Sequence, residues 1–104
     1  MNERVQRLKA NARVIREGLK TKGFKPLESD SGIIPIILGQ TALAIRFSRM
    51  LLERGIFVTG FGYPVVPEGT ARVRVQASAA LTEAHIARLI EAFADVGRAL
   101  GLIQ

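Results

Sequence analysis

The 104-residue sequence predicts a two-layer α/β (α+β) sandwich, a three-stranded antiparallel sheet in order 1-3-2 with helices. Three observations carry this. The periodicities run helix, strand, helix, strand, strand, helix. Arg72-Val73-Arg74-Val75-Gln76 alternates strictly between polar and apolar, the pattern of a strand with one buried face. Pro35 interrupts the β-branched run Ile33–Leu38, which confines that strand to an edge, because proline cannot donate to ladders on both sides.

Each element has its own signal. Val5, Leu8, Ala12, Ile15 and Leu19 recur at three- and four-residue steps through residues 2–22, one apolar stripe on an amphipathic helix. Gly23 caps it and Pro26 forbids its continuation. The polar stretch Glu28-Ser29-Asp30-Ser31-Gly32 reads as loop. Ile33–Leu38 is the first strand. Leu43, Ala44, Phe47, Met50 and Leu51 then mark a helix over residues 41–54, stopped by Gly55. Ile56-Phe57-Val58-Thr59 reads as the second strand, and residues 60–69 as a Gly/Pro loop. Thr82 caps the last helix, whose stripe is Ile86, Leu89, Ile90, Phe93, Val96 and Leu100, and Gly101 ends it.

A right-handed crossover through the middle helix makes strands one and two parallel, with a gap between them. Strand three, returning antiparallel, fills that gap and becomes the centre.

Length and composition bound the function. The chain is expected to form a single domain, residues 1–104, of ordinary globular composition with 48% apolar and 23% charged residues. No cysteine is present, which removes disulfide and zinc-thiolate chemistry and fits a reducing, cytoplasmic setting. One histidine cannot supply a two-histidine metal site. No apolar run approaches the ~20 residues of a membrane helix, so no membrane partner is expected. The start, Met-Asn-Glu-Arg-Val-Gln-Arg, does not read as a secretory signal.

The net charge of +6 lies wholly in residues 1–25, with eight basic and two acidic groups; the remainder carries seven of each. Such a cluster is either the solvated face of a helix or a contact for nucleic acid. No aromatic residue interleaves with it, so a stacking platform is missing. A nucleic-acid partner is therefore not favoured.

The alternation has functional content. Val73 and Val75 must face the helices, which sends Arg72, Arg74 and Gln76 to the opposite face. That face is either solvated or aimed at something outside the chain, where a planar, forked guanidinium suits a carboxylate or phosphate. Phe61, Tyr63, Val65 and Val66 make the 60–69 loop more apolar than a free loop needs, so it either caps its own core or is covered by another body.

Other motifs are missing. Gly60-Phe61-Gly62 lacks the third glycine and helix of a dinucleotide fingerprint. No Walker-type sequence occurs. His85 reads as a surface residue in the first turn of the last helix, and no complete catalytic constellation or metal set is visible.

The stretch Gly60-Phe61-Gly62-Tyr63-Pro64-Val65-Val66-Pro67-Glu68-Gly69, followed by Ala71-Arg72-Val73-Arg74, resembles the C-terminal region of the α-oxoamine synthases. So do Ile34–Gly39, Leu51–Gly60 and the ending Ala92-Phe93 through Gly101. These are pyridoxal-phosphate (PLP) enzymes of the aspartate-aminotransferase fold type. The resemblance implies the small domain of a fold-type I PLP enzyme, leaning on a larger PLP-binding domain, in a parent that is a homodimer. It is greatest to the branch that condenses glycine with acetyl-CoA to 2-amino-3-ketobutyrate. Tyr63-Pro64-Val65-Val66-Pro67 favours that branch over the one using alanine and a longer acyl thioester.

It further implies that Arg74, the second arginine of the pair, binds the carboxylate of the amino-acid substrate, while Arg72 is structural. The chemistry requires such a clamp, because the bond broken at the α-carbon must lie perpendicular to the cofactor's π system. The Schiff-base lysine, the aspartate partner of the pyridine nitrogen and the phosphate-binding residues belong to the family's large domain. Lys9, Lys20, Lys22 and Lys25 match no such motif. Gln40 stands where relatives usually have an acidic residue, and Leu81 where they usually have histidine. The chain thus reads as an excised or truncated C-terminal domain, binding no PLP and inactive alone. A catalytically dead interaction domain is the remaining alternative.

Overall fold

The computed structural model describes residues 3–28 and 32–104. The start of the first helix at Asn2 and the loop residues Ser29-Asp30-Ser31 lie outside the described residues. Six elements follow in order: α1 (Glu3–Lys22), β1 (Ile33–Gly39), α2 (Thr41–Glu53), β2 (Thr59–Phe61), β3 (Ala71–Gln76) and α3 (Glu83–Ala99). The sheet has the order β1-β3-β2, with both pairings antiparallel. The predicted architecture and strand order are therefore the observed ones.

Pro35 sits on the β1 edge and pairs with Arg74 in register. Its carbonyl accepts from the Leu27 N–H at 2.8 Å, on the side away from β3. The hydrogen-bonding side on which proline lacks a donor thus faces out of the sheet, and the central ladder loses nothing.

The core follows the alternation. Ile34 and Ile36 of β1 and Val73 and Val75 of β3 are buried with Ala12, Ile15, Leu19, Phe47, Leu51, Ile86, Phe93 and Val96 from the helices. α1 and α2 lie against the sheet, and α3 packs on both. Three rings close the centre: Phe24 meets Phe47 and Phe93 edge-on at 5.9 and 5.7 Å, and Phe47 tilts against Phe93 at 5.3 Å.

Phe24 owes its place to the way the helix before it ends. Gly23 is in the left-handed region and donates to the Lys20 carbonyl, while Phe24 N–H reaches back to Leu19. This paired closure swings the residue after the glycine onto the helix. α2 and α3 end in the same way at Gly55-Ile56 and Gly101-Leu102.

Two expectations need correction. The second strand, expected over Ile56–Thr59, occupies Thr59–Phe61. Ile56 is consumed by the closure of α2, its N–H bonded to the Leu51 carbonyl at 2.9 Å, and Phe57 projects into solvent. The strand can form only after this turn is complete, so Gly60 and Phe61 belong to the sheet, not to the loop. The α1 stripe is also covered unevenly: Ala12, Ile15 and Leu19 are buried, but Val5 is 43% exposed.

Candidate substrate-anchoring face

β3 positions three side chains on the sheet face opposite the helices. The pattern along Ala71–Gln76 is buried at Ala71, Val73 and Val75, half-buried at Arg72, and exposed at Arg74 and Gln76. Arg74 is the most central of these, opposite Pro35 of β1 and Thr59 of β2. It points away from the helices, as the alternation requires. No described carboxylate lies within ion-pairing distance of it. Its guanidinium carbon instead lies 4.8 Å from the centroid of the Phe61 ring.

Arg72 behaves differently. It is half-buried, and its Nε donates to its near neighbour, the Thr70 carbonyl, at 3.1 Å. Gln76 likewise turns to the adjacent backbone, Nε2 donating to the Ala77 carbonyl just past the strand at 3.2 Å. Of the three outward side chains, Arg74 is the one whose donors are not drawn back to the local backbone.

The loop after β2 does not fold onto the core. Tyr63 and Val65 are 70% and 73% exposed, which leaves an apolar tip in solvent. The loop is nevertheless pinned. Glu68 Oε1 accepts from both the N–H and the hydroxyl of Thr41, each at 2.7 Å, and Thr41 Oγ1 accepts from the Tyr63 N–H at 2.9 Å.

Gln40 at the α2 N-cap makes no side-chain capping bond. Glu68, arriving from far along the chain, takes that place, where a negative charge also suits the helix dipole. The Thr41 hydroxyl, then the Thr41 N–H, with help from the Gly69 N–H, hold the Glu68 carboxyl below its ordinary value of 4.5. A depressed carboxyl stabilises the fold above its unfolded-state pKa, and this is lost as pH falls through the folded one. Glu68→Gln is accordingly expected to melt lower at neutral pH, with the gap closing as pH falls below 4.5. Thermal melts across that range check it, and a gap independent of pH would contradict it.

His85 is a surface residue with a structural task. Its Nδ1 accepts from the Thr82 N–H at 3.3 Å, while Thr82 Oγ1 accepts from the His85 N–H at 3.1 Å, a reciprocal cap at the start of α3. Leu81 is half-buried and packs against the core.

The described residues do not fit PLP by themselves. The cofactor needs backbone or side-chain donors for its phosphate and a lysine for its aldehyde. The N-termini of α2 and α3 are already taken by Glu68 and by the Thr82–His85 cap. Lys20 pairs with Glu17 of α1 and with Glu28 beyond it, and Lys22 pairs with Glu91 of α3. Part of the basic excess is used internally too: Arg16 is buried and its Nε donates to the Leu27 carbonyl at 3.4 Å. No grouping of three metal-ligating side chains occurs among the described residues, and none of their helices is long and apolar enough to cross a membrane.

Comparison with known proteins matches residues 1–93 to the aminotransferase class I and II family. The chain belongs to that family. Within it, the chain is homologous to the C-terminal domain of the PLP-dependent α-oxoamine synthases. It is 50% identical over 97 residues to the 2-amino-3-ketobutyrate coenzyme A ligase of Escherichia coli K12, covering 93% of this chain and 24% of the relative. It is 41% identical over 102 residues to the 8-amino-7-oxononanoate synthase/2-amino-3-ketobutyrate coenzyme A ligase of Thermus thermophilus, covering 98% and 26%. A solved structure of SPT with PLP as internal aldimine superposes with a TM-score of 0.87 at 35% identity, covering 94% of this chain and 25% of that one. The chain spans about a quarter of the length of the α-oxoamine synthases it matches.

Two features of the face escape a reading of the sequence alone. Phe61 is hidden by the shift of β2. Gly60 is the available signal, because a Cβ there would come within 3.3 Å of Ser48 Oγ and 3.4 Å of the Ala44 carbonyl. A glycine inside a strand marks such a close approach, here by α2. The Glu68–Thr41 bond joins residues 27 apart, and no local spacing announces it.

Proposed function

We propose that this chain is the small domain of a PLP-dependent acyltransferase whose parent condenses glycine with acetyl-CoA, giving 2-amino-3-ketobutyrate and CoA. A larger domain, outside this chain, holds PLP and supplies the Schiff-base lysine; the chain alone is inactive. The parent works as a homodimer in the cytoplasm, a setting that the lack of cysteine fits.

The observation that carries this reading is Arg74. A guanidinium on the central strand, outward-facing and without a described carboxylate partner, is suited to a carboxylate brought from elsewhere. Its forked N–H donors match the two carboxylate oxygens in one plane, which fixes orientation as well as position. A strand holds such a group more firmly than a loop would. Once the carboxylate is gripped, the remaining bonds at the α-carbon have a defined direction, which is what the chemistry at that carbon needs. Arg72, tied to Thr70, supports the strand.

The exposed apolar tip at Tyr63 and Val65 supports a larger body that covers part of this chain. A second reading, an 8-amino-7-oxononanoate synthase using alanine and a longer acyl thioester, is supported by the double name of the Thermus thermophilus relative.

The test is to join this chain to the large remaining part of the Escherichia coli ligase in place of that enzyme's own C-terminal quarter. PLP absorbance reports an assembled cofactor site, and CoA thiol release reports turnover. Glycine-dependent CoA release from acetyl-CoA is expected. Turnover restricted to alanine with a longer acyl thioester favours the second reading, and an assembled cofactor site without turnover of either refutes both.

A further inference from the structure

We propose that Phe61 is the positioning residue for Arg74, a platform that holds the guanidinium so that its donor edge faces an incoming carboxylate. The inference rests on the reading of Arg74 as the carboxylate anchor and adds what keeps that anchor in place. An arginine carries several rotatable bonds, and an unrestrained one gives up much of its side-chain freedom on gripping a ligand. Of the groups described around Arg74, Pro35 offers no charge and Thr59 none either, and no described carboxylate is in ion-pairing range. What lies against the guanidinium is the Phe61 ring, at 4.8 Å from centroid to carbon.

The register explains the contact. Phe61 pairs with Arg72 and Thr59 with Arg74, so Phe61 is the diagonal neighbour of Arg74 on the same face, within reach of a long side chain. A ring beneath the guanidinium occupies the face of that planar group and leaves its N–H edge open. A carboxylate in the same place would have used those donors up.

Phe61 is itself fixed. It is half-buried, paired to β3, and preceded by Gly60, which lets α2 approach β2 closely. The platform is therefore part of the sheet, and the anchor is pre-set before substrate arrives.

Two measurements test this, one on each half of the claim. In the 104-residue chain, the Arg74 Nε–H proton resonance, assigned by its loss in Arg74→Lys, is expected upfield of the other arginines because of the ring current. Phe61→Leu should abolish that displacement and Phe61→Tyr should keep it. In the joined enzyme, Phe61→Leu is expected to raise KM for glycine by about three- to tenfold, with kcat changed less than about twofold. Phe61→Tyr should restore KM.

A merely structural role for Phe61 predicts lowered melting temperature in both variants and no separation of Leu from Tyr in KM. That result, or an unchanged KM in Phe61→Leu, overturns the proposal. Arg74→Lys in the same assay keeps the two readings apart. If it impairs glycine use while Phe61→Leu does not, only the platform falls; if Arg74→Lys also leaves KM and kcat unchanged, the anchor falls with it.

Discussion

Arg74→Lys is expected to lower kcat/KM for glycine by about ten- to a hundredfold in the joined enzyme, the equivalent of losing a charge-assisted hydrogen bond of about 1.5–3 kcal/mol. The positive charge survives in lysine, so a purely electrostatic attraction would be largely kept. What disappears is the planar fork and its contact with the Phe61 ring. An ammonium can approach one carboxylate oxygen but cannot hold two in a plane, so the substrate is left free to rotate about the remaining contact. Arg72→Lys should cost less than about threefold, because Arg72 is half-buried and its Nε is spent on the Thr70 carbonyl. Steady-state kinetics with glycine as the varied substrate separate the two. Equal losses at both positions would mean that the face acts through its charge and not through one shaped group.

Phe47→Ala is expected to destabilise the fold by about 3–5 kcal/mol. Phe47 is fully buried and touches both other rings of the core, Phe24 and Phe93, at 5.9 and 5.3 Å. Removing it opens a cavity at the point where α2, α3 and the chain after α1 meet. A domain of this size has only about 5–15 kcal/mol of net stability in all, so the variant should lose a large share of it and melt more than about 10 °C lower. Phe47→Leu refills most of the space and should recover much of the loss. A thermal melt of the three proteins reads this directly. Loss confined to a degree or two in Phe47→Ala would show that the rings are not the centre of the core.

The sheet was legible because its evidence in the chain is local. Val73 and Val75 between Arg72, Arg74 and Gln76 fix both the buried face and the outward one, and Pro35 fixes an edge. Those two facts, with the crossover rule, leave the order β1-β3-β2. The second strand lies later than local composition predicts, because Ile56-Phe57-Val58 has the composition of a strand while the closing turn of α2 claims its first residue. Local propensity gave way to the geometry of a helix end. Phe24 carries no local signal for a related reason: its burial depends on where Gly23 sends the chain, not on a periodic stripe.

The candidate site divides along the same line. Arg74 could be placed from alternation and given a role by resemblance, since both depend on a contiguous motif. The Phe61 platform depends on the pairing of two strands that are distant in sequence, and the Glu68 latch on a loop returning to a helix start. Both arise only when the fold is complete. The latch also changes what the loop does: Tyr63 and Val65 are held exposed on a segment pinned to the start of α2.

The most direct test is a crystal structure of the joined enzyme with glycine bound. The account predicts the Arg74 guanidinium within hydrogen-bonding distance of both carboxylate oxygens, still lying over Phe61, with the β3 face turned toward the larger domain. A glycine carboxylate held by other groups, with Arg74 directed into solvent, would contradict it.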